Sequence, residues 1–432
     1  MAPAPLRRLD AVLGGPRRRR IILTLASVLG LQTADASAVG ADATQLEAGL
    51  GINEAHIGLL LSVTVLVGAV MTLPAGMLAD RVRRTRLLGW AVATWGGAMV
   101  LSASATDFQW LLLSRIALGG VTAVAGPATA SLIGDWFPPH ERGRIYGYVL
   151  CGELLGAAFG LVVAGELAVL GWRAPFLALI LPSALVCWLV LRLEEPERGA
   201  QRTPPVDGDR TAEQAERISL PAAVRYVLGI RTNLVLIVAS MLGYFFLSGL
   251  RGFAVQFTTQ HYGVSHSLAV VLALIVGLGA LGGVIGGGRL ADRLQHRGRM
   301  TARIEVPGVA VLLCAALFLP ALITTSVWIA MPLLVLASAC LGATTAPLDA
   351  ARLDVVIPPI WGRAEAIRTV LRDCGEGAGP LLFGLLADSV FVGSSGLAYT
   401  FMITLLALVA EAALLLFVGR RTYPADNAAA KG

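Results

Sequence analysis

Hydrophobic positions along this chain gather into long runs of about 20 residues, separated by short polar loops. A helix that crosses a bilayer needs about 20 mostly apolar residues. Runs of that kind fall at 21–40, 57–78, 87–104, 110–133, 145–170, 174–193, 233–257, 268–290, 306–323, 327–349, 363–387 and 397–418. The pattern predicts an all-α membrane protein of about 12 transmembrane helices. One long hydrophilic stretch, 194–231, carries Pro196, Pro204 and Pro205 and leaves six runs on each side. The expected organisation is a six-helix bundle over 1–193, a cytoplasmic linker over 194–231 and a second bundle over 232–432. A short surface helix is expected around 211–227 of the linker, which is too short to be a catalytic domain.

Composition agrees. Of 432 residues, 56% are hydrophobic and 14% are charged, and mean hydropathy is +0.74. Soluble domains carry about 25% charge, so most of this surface faces lipid. The net charge of +6 does not imply a nucleic-acid partner, because the arginines sit in alternate loops. One side collects Arg7, Arg8, Arg17–Arg20, Arg81, Arg83, Arg84, Arg86, Arg142, Arg144, Arg293–Arg303, Arg420 and Arg421. The other carries Asp42, Glu47, Glu54, Asp107, His261 and Asp388, with Arg173 as its one basic residue. The positive-inside rule then puts both termini in the cytoplasm, and an even number of spans agrees. The basic stretch before the first run resembles a signal peptide. The run continues without a small-residue cleavage site, so it is expected to remain as the first helix. A single lysine, Lys431, fits a GC-rich bacterial genome and hence a multi-pass protein of a bacterial cell membrane.

Enzyme chemistry is not expected. The cysteines Cys151, Cys187, Cys314, Cys340 and Cys374 lie in apolar runs and read as packing residues. The histidines His56, His140, His261, His266 and His296 are placed in predicted loops. No metal site, cofactor site or Ser/His/Asp set emerges. The glycines crowding 277–288 follow no strand and precede no Gly-Lys-Ser/Thr, so they are not a phosphate loop. They and Gly152-x-x-x-Gly156-x-x-x-Gly160 predict close helix packing.

The chain repeats itself. Gly76-Met77-Leu78-Ala79-Asp80-Arg81 returns as Gly288-Arg289-Leu290-Ala291-Asp292-Arg293, an offset of 288 − 76 = 212 residues. Pro138-Pro139 with Gly143-Arg144 returns as Pro358-Pro359 with Gly362-Arg363, and Cys151-Gly152-Glu153 as Cys374-Gly375-Glu376. Two six-helix halves repeated in parallel are the architecture of one large transporter class.

Gly76-x-Leu78-x-Asp80-Arg81-x-x-Arg84 resembles the signature loop of the major facilitator superfamily, and Arg115-x-x-x-Gly119 resembles its fourth-helix motif. Leu132-Ile133-Gly134-Asp135-Trp136-Phe137 and Gly375-Glu376-Gly377-Ala378-Gly379-Pro380 are similar to stretches of its spinster-like branch. Asp35 falls where that branch keeps an aspartate, while Ala36 and Thr122 stand where it carries an arginine and a glutamate. The resemblance implies a monomeric secondary transporter working by alternating access. It implies gating roles for Gly76, Asp80, Arg81, Arg84, Gly288, Asp292 and Arg293. It suggests lysophospholipids, sphingoid lipids or related amphipathic anions as substrates. Efflux of hydrophobic drugs or a secondary metabolite, and uptake of a small nutrient, stay open as alternatives. So does a receptor or scaffold on a transporter fold.

Charges inside the bilayer cost about 2.5–3.5 kcal/mol each on insertion scales, so each asks for a reason. At 1.5 Å per residue, Asp35 lies about 21 Å and Arg115 about 22 Å above the cytoplasmic edge. Equal depth predicts a pair in which Asp35 carries the coupling proton and Arg115 biases it. A static ion pair is the competing reading. Arg368, Arg372 and Glu376 are spaced four apart and share a helix face, with Asp373 pointing elsewhere. Arg251, Gln256, Arg372, Glu376, Glu153 and Thr122 are the expected substrate contacts. Helix packing is the competing reading for the charged stripe, and snorkelling for Arg251. Glu411 is expected to be structural.

Overall fold

A computed structural model describes residues 13–167, 170–197, 220–356, 361–391, 393 and 395–431. Its elements are α1 (Pro16–Ala41), α2 (Ala43–Leu50), α3 (Glu54–Arg81), α4 (Arg84–Ala103), α5 (Phe108–Thr122), α6 (Ala125–Trp136), α7 (Pro139–Leu167) and α8 (Ala174–Leu191). They continue as α9 (Leu220–Gly229), α10 (Arg231–Tyr262), α11 (His266–His296), α12 (Ala302–Ile323), α13 (Val327–Gly342), α14 (Thr345–Val355), α15 (Trp361–Leu385), α16 (Gly396–Ala413) and α17 (Arg420–Lys431). π-helical turns follow α15 at Leu386–Val390 and α16 at Leu414–Gly419. Among the described residues, ten helical segments are long and apolar enough to cross a membrane. α4, whose apolar run is shortened by Arg84 and Arg86 at its start, and α15, which carries a charged stripe, complete the twelve.

The fourth and tenth spans are not single helices. α5 stops at Thr122 and α6 starts at Ala125, and α13 stops at Gly342 and α14 starts at Thr345. Pro127 and Pro347 explain both breaks. Neither has an N–H for the carbonyl four residues earlier, and those carbonyls belong to Ala123 and Ala343, which lie at the breaks.

Helices also run past the apolar stretches that announce them. α10 ends at Tyr262, five residues beyond its apolar run, because a helix satisfies its own backbone hydrogen bonds in water as in lipid. The histidines expected in loops therefore sit on helices: His56 in α3, His140 at the start of α7, His261 in α10, and His266 and His296 at the two ends of α11. The linker's described helix is α9, and residues 198–219 lie outside the described residues. Pro358 and Pro359 of the second repeat also lie outside them.

Contacts divide the chain into two units, Met1–Ile52 with Val63–Pro204, and Asn53–Ser62 with Pro205–Gly432. In the first, α1 packs along α7 and α4 along α8. The α1–α7 contact is made by glycines. A Cβ on Gly152, Gly156 or Gly160 would overlap the carbonyls of Ala26, Gly30 and Ala34 in turn. Two four-residue stripes thus let the backbones meet, and Thr33 Oγ1 donates across the seam to the Glu153 carbonyl at 2.8 Å.

The second unit repeats the device. α10 packs on α15, and Gly375 and Gly379 face the carbonyls of Met241 and Phe245. Gly283 and Gly287 of α11 meet Ala339 and Ala343 in the same way. Phe246, Phe253, Phe318, Phe383 and Phe401 form an aromatic cluster between α10, α12, α15 and α16.

Candidate functional site

In the first unit, α1 and α5 bring Asp35 and Arg115 together. Arg115 Nη1 donates to both carboxylate oxygens of Asp35 at 2.8 Å. Its Nη2 donates to Ser102 Oγ on α4 at 2.6 Å. The guanidinium stands 4.9 Å from the centre of the Phe176 ring on α8. Asp35 is 4% and Arg115 2% exposed, so four helices enclose the pair. The two residues expected at equal depth are in contact, and Ser102 and Phe176 are partners that the sequence pattern did not point to. Thr122 lies below, at the break in the fourth span. Its carbonyl accepts from Gln32 Nε2 at 2.9 Å, and with Trp95 it lines a small cavity of about 20 Å³.

The second unit carries a charge cluster on α10, α14 and α15. Arg372 donates through Nε and Nη2 to Asp373 Oδ1 at 3.0 and 2.8 Å. It lies 3.9 Å from Glu376 and stacks 4.6 Å from the centre of the Tyr244 ring. Arg251 is 4.0 Å from Glu376, with 60% of its side chain exposed. Arg368 and Arg352 both pair with Glu365, and Arg352 also pairs with Asp349. The expectation that Asp373 points elsewhere is not met, because its short side chain bends back to the neighbouring guanidinium. Arg251, Arg372 and Glu376 do meet. Gln256 is only 1% exposed and packs inside the unit. Glu153, on α7 of the first unit, contributes a backbone contact to α1.

Each unit closes its cytoplasmic end with one arginine, Arg84 buried in the first and Arg303 part-buried in the second. Arg84, the first residue of α4, donates to Asp135 at the end of α6, to Ser131 Oγ at 2.8 Å and to Glu195 Oε1 at 3.0 Å. Glu195 also caps α4, accepting from the backbone N–H of Arg84 and Thr85 at 3.1 and 2.8 Å. Burial raises the Glu195 carboxyl, but these bonds from Thr85 and Arg84 outweigh it and hold the group below its ordinary value.

In the second unit, Arg303 at the start of α12 donates to Asp354 at the end of α14 and lies 3.8 Å from Asp292. Tyr423 donates to the same Asp354. The two arginines are 303 − 84 = 219 residues apart, and the two aspartates 354 − 135 = 219. Laying the repeat over the charged residues would have found this pair of locks. Of the expected gating set, Arg84 and Asp292 join these networks. Arg81 and Arg293 are exposed, Gly76 faces open space and Gly288 touches Ala346. The side chain of Asp80 lies outside the described residues.

Ten helical segments long and apolar enough to cross a membrane among the described residues, an internal repeat and an enclosed ion pair mark a multi-pass membrane protein. The sequence profile described as the Major Facilitator Superfamily matches residues 25–356, and the chain belongs to that superfamily, whose members are transporters and not enzymes. It is 30% identical over 357 residues to an uncharacterised MFS-type transporter of Mycobacterium tuberculosis, covering 79% of this chain and 73% of that protein. A shorter match, 33% over 131 residues, is to a probable L-galactonate transporter of Escherichia coli. It takes in 30% of this chain and 29% of that protein's length. In fold the chain resembles a bacterial homologue of the human lysosomal transporter Spinster in an inward-facing, unoccupied conformation. The TM-score is 0.83 at 22% identity, over 95% of this chain and 98% of that one.

Proposed function

We propose that the protein is a proton-coupled secondary transporter of an amphipathic organic anion, working by alternating access. The observation that carries this reading is the enclosed Asp35–Arg115 pair. A carboxylate at bilayer depth is costly unless it is paired. Protonating Asp35 removes the counter-charge of Arg115, and deprotonating it restores the pair. That exchange links proton occupancy to the charge that α5 presents, which is what coupling requires.

The anion preference draws on the second unit. Arg251 and Arg372 share Glu376 at 4.0 and 3.9 Å, too long for strong hydrogen bonds. A carboxylate or phosphate head group could take the fork of Arg251 in place of Glu376, with Arg372, held by Asp373, adding its charge beside it. The Tyr244 ring, stacked beside Arg372, suits an apolar body. The probable L-galactonate transporter among the relatives is named for an organic acid, and the amphipathic side of the reading rests on the resemblance of the sequence motifs to the spinster-like branch.

The test is transport into liposomes driven by an imposed proton gradient, comparing native protein with Asp35→Asn. The probes are a labelled sugar acid, a fluorescent lysophospholipid and a cationic dye. Native protein should move one of the anionic probes only when the gradient is present. Asp35→Asn should lose gradient-driven movement while keeping gradient-free exchange. Movement of the cationic dye alone would replace this reading with drug efflux, and an unaffected Asp35→Asn would remove the coupling role.

A further inference from the structure

Two turns above Asp35, α1 ends at a second buried carboxylate. Asp42 is 1% exposed, and neither of its carboxylate oxygens has a hydrogen-bond partner among the described residues. Its backbone carbonyl starts α2, accepting from Gln45 and Leu46 N–H at 3.1 and 3.0 Å. The side chain does not cap that helix. An aspartate at a helix start ordinarily uses its carboxylate on the free N–H groups; this one is turned away from them and enclosed instead.

The elements around the outer end of α1 carry four charged groups: Glu47 on α2, Glu166 near the end of α7, Arg173 ahead of α8 and Asp107 ahead of α5. The only cation among them is engaged elsewhere. Arg173 stacks 4.1 Å from the Trp172 ring centre and donates to the Ala105 carbonyl at 2.8 Å. Asp107 is used as the N-cap of α5, accepting from Trp110 N–H at 2.9 Å. Among the described residues no counter-charge neutralises Asp42, and burial pushes its carboxyl up to about 7. Burial without a partner favours the protonated form of a carboxyl.

Position gives this group a task. Seven residues separate Asp42 from Asp35, which is two helical turns, so both lie on one face of α1 about 10 Å apart. Between them on that face lie Ala38 and Val39, both buried. Along α1 the chain therefore stacks one paired acid at bilayer depth beneath one unpaired acid at the outer end. We propose that Asp42 is a second protonation site of the transport cycle, which takes a proton at the outer end of α1 and delivers it to the Asp35–Arg115 pair. Because the two carboxyls are about 10 Å apart, water admitted to this end of α1 during the cycle carries the proton: an O–H bond breaks at the Asp42 carboxyl, one forms at the Asp35 carboxylate, and the total charge of the two groups is unchanged. Burial keeps the loaded proton from escaping to bulk water. This inference rests on the coupling role of Asp35.

The first arm of the test does not use transport. Infrared spectra of the purified full-length protein are recorded against pH. A carboxylic-acid carbonyl band should be lost as pH rises through about 7, absent in Asp42→Asn and retained in Asp35→Asn. Asparagine keeps the shape of the neutral acid, and Asp42→Glu should restore a titrating band.

The second arm measures gradient-driven movement of whichever anionic probe the native protein carries, as external pH is varied. Asp42→Asn should flatten that profile and slow driven transport by about tenfold or more, with gradient-free exchange at the native rate. A native profile in Asp42→Asn overturns the proposal, as does the lack of a band assignable to Asp42. If Asp35→Asn also transports like native protein, the coupling reading itself has failed. If only Asp42→Asn is native-like, this inference alone falls.

Discussion

Gly156→Ala should loosen the first unit, and the reason can be worked from the seam between α1 and α7. A Cβ on Gly156 would overlap the carbonyl and Cα of Gly30. These are backbone atoms of a neighbouring helix and cannot rotate aside. Apolar contacts are optimal near about 3.5 Å, so α1 must shift by more than about 1 Å and give up contacts along its length. Overpacking of this kind costs about 1–3 kcal/mol, and sometimes more. Alanine's better helix propensity returns at most about 1 kcal/mol. The reverse substitution, Gly30→Ala, places its Cβ 2.8 Å from the Gly152 carbonyl oxygen and should cost less. Gly97, on α4, meets nothing within 4 Å, so Gly97→Ala keeps only the propensity gain and should be neutral or stabilising. The assay is thermal unfolding of purified protein in one detergent at one scan rate. The expected order of midpoints is Gly97→Ala at or above native, then Gly30→Ala, then Gly156→Ala. A Gly156→Ala midpoint equal to that of Gly97→Ala would refute the argument that backbone contact sets this seam.

Other outcomes follow from the charges. Asp35→Asn leaves Arg115 buried without its counter-ion and should destabilise by about 3–5 kcal/mol, while Asp35→Asn with Arg115→Gln recovers part of the loss in the same unfolding assay. Arg84→Lys should behave like Arg84→Ala, because one ammonium cannot reach Asp135, Ser131 and Glu195 together as the guanidinium does. Arg303→Lys in the second unit should show the same pattern, and recovery of native stability by either lysine would count against these locks. For Glu195, whose folded value lies below its ordinary 4.5, the contribution is full above that value and is lost as pH falls through the lowered one. Midpoints of native protein should therefore drop on acidification below about 4.5, and Glu195→Gln should show a smaller drop. An equal drop in both would place the acid sensitivity elsewhere.

What was legible in the residues and what was not divides along a physical line. Lipid constrains each span locally: the run must be apolar, its length is set by the bilayer, and its orientation by the arginines beside it. Those constraints act on neighbouring residues, so the twelve spans, their direction and the internal repeat could be read from 432 letters. Glycine stripes could be read too, since a four-residue spacing has one face whatever packs on it. Even the breaks at Ala123 and Ala343 were written in Pro127 and Pro347, though the apolar runs continue across both. Partner choice was a different matter. Many arginines line the cytoplasmic loops, and only the packing of α4, α6 and the segment after α8 selects Arg84 for Asp135 and for Glu195, 111 residues away. Asp373 sits beside Arg372 in the chain, yet helical periodicity sends the two around the axis, and side-chain reach brings them back. Asp42 reads as one more acidic loop residue until the tertiary structure closes over it. Sequence sets where a charge sits along a helix, but its free energy depends on the groups that surround it, and those come from helices distant in the chain.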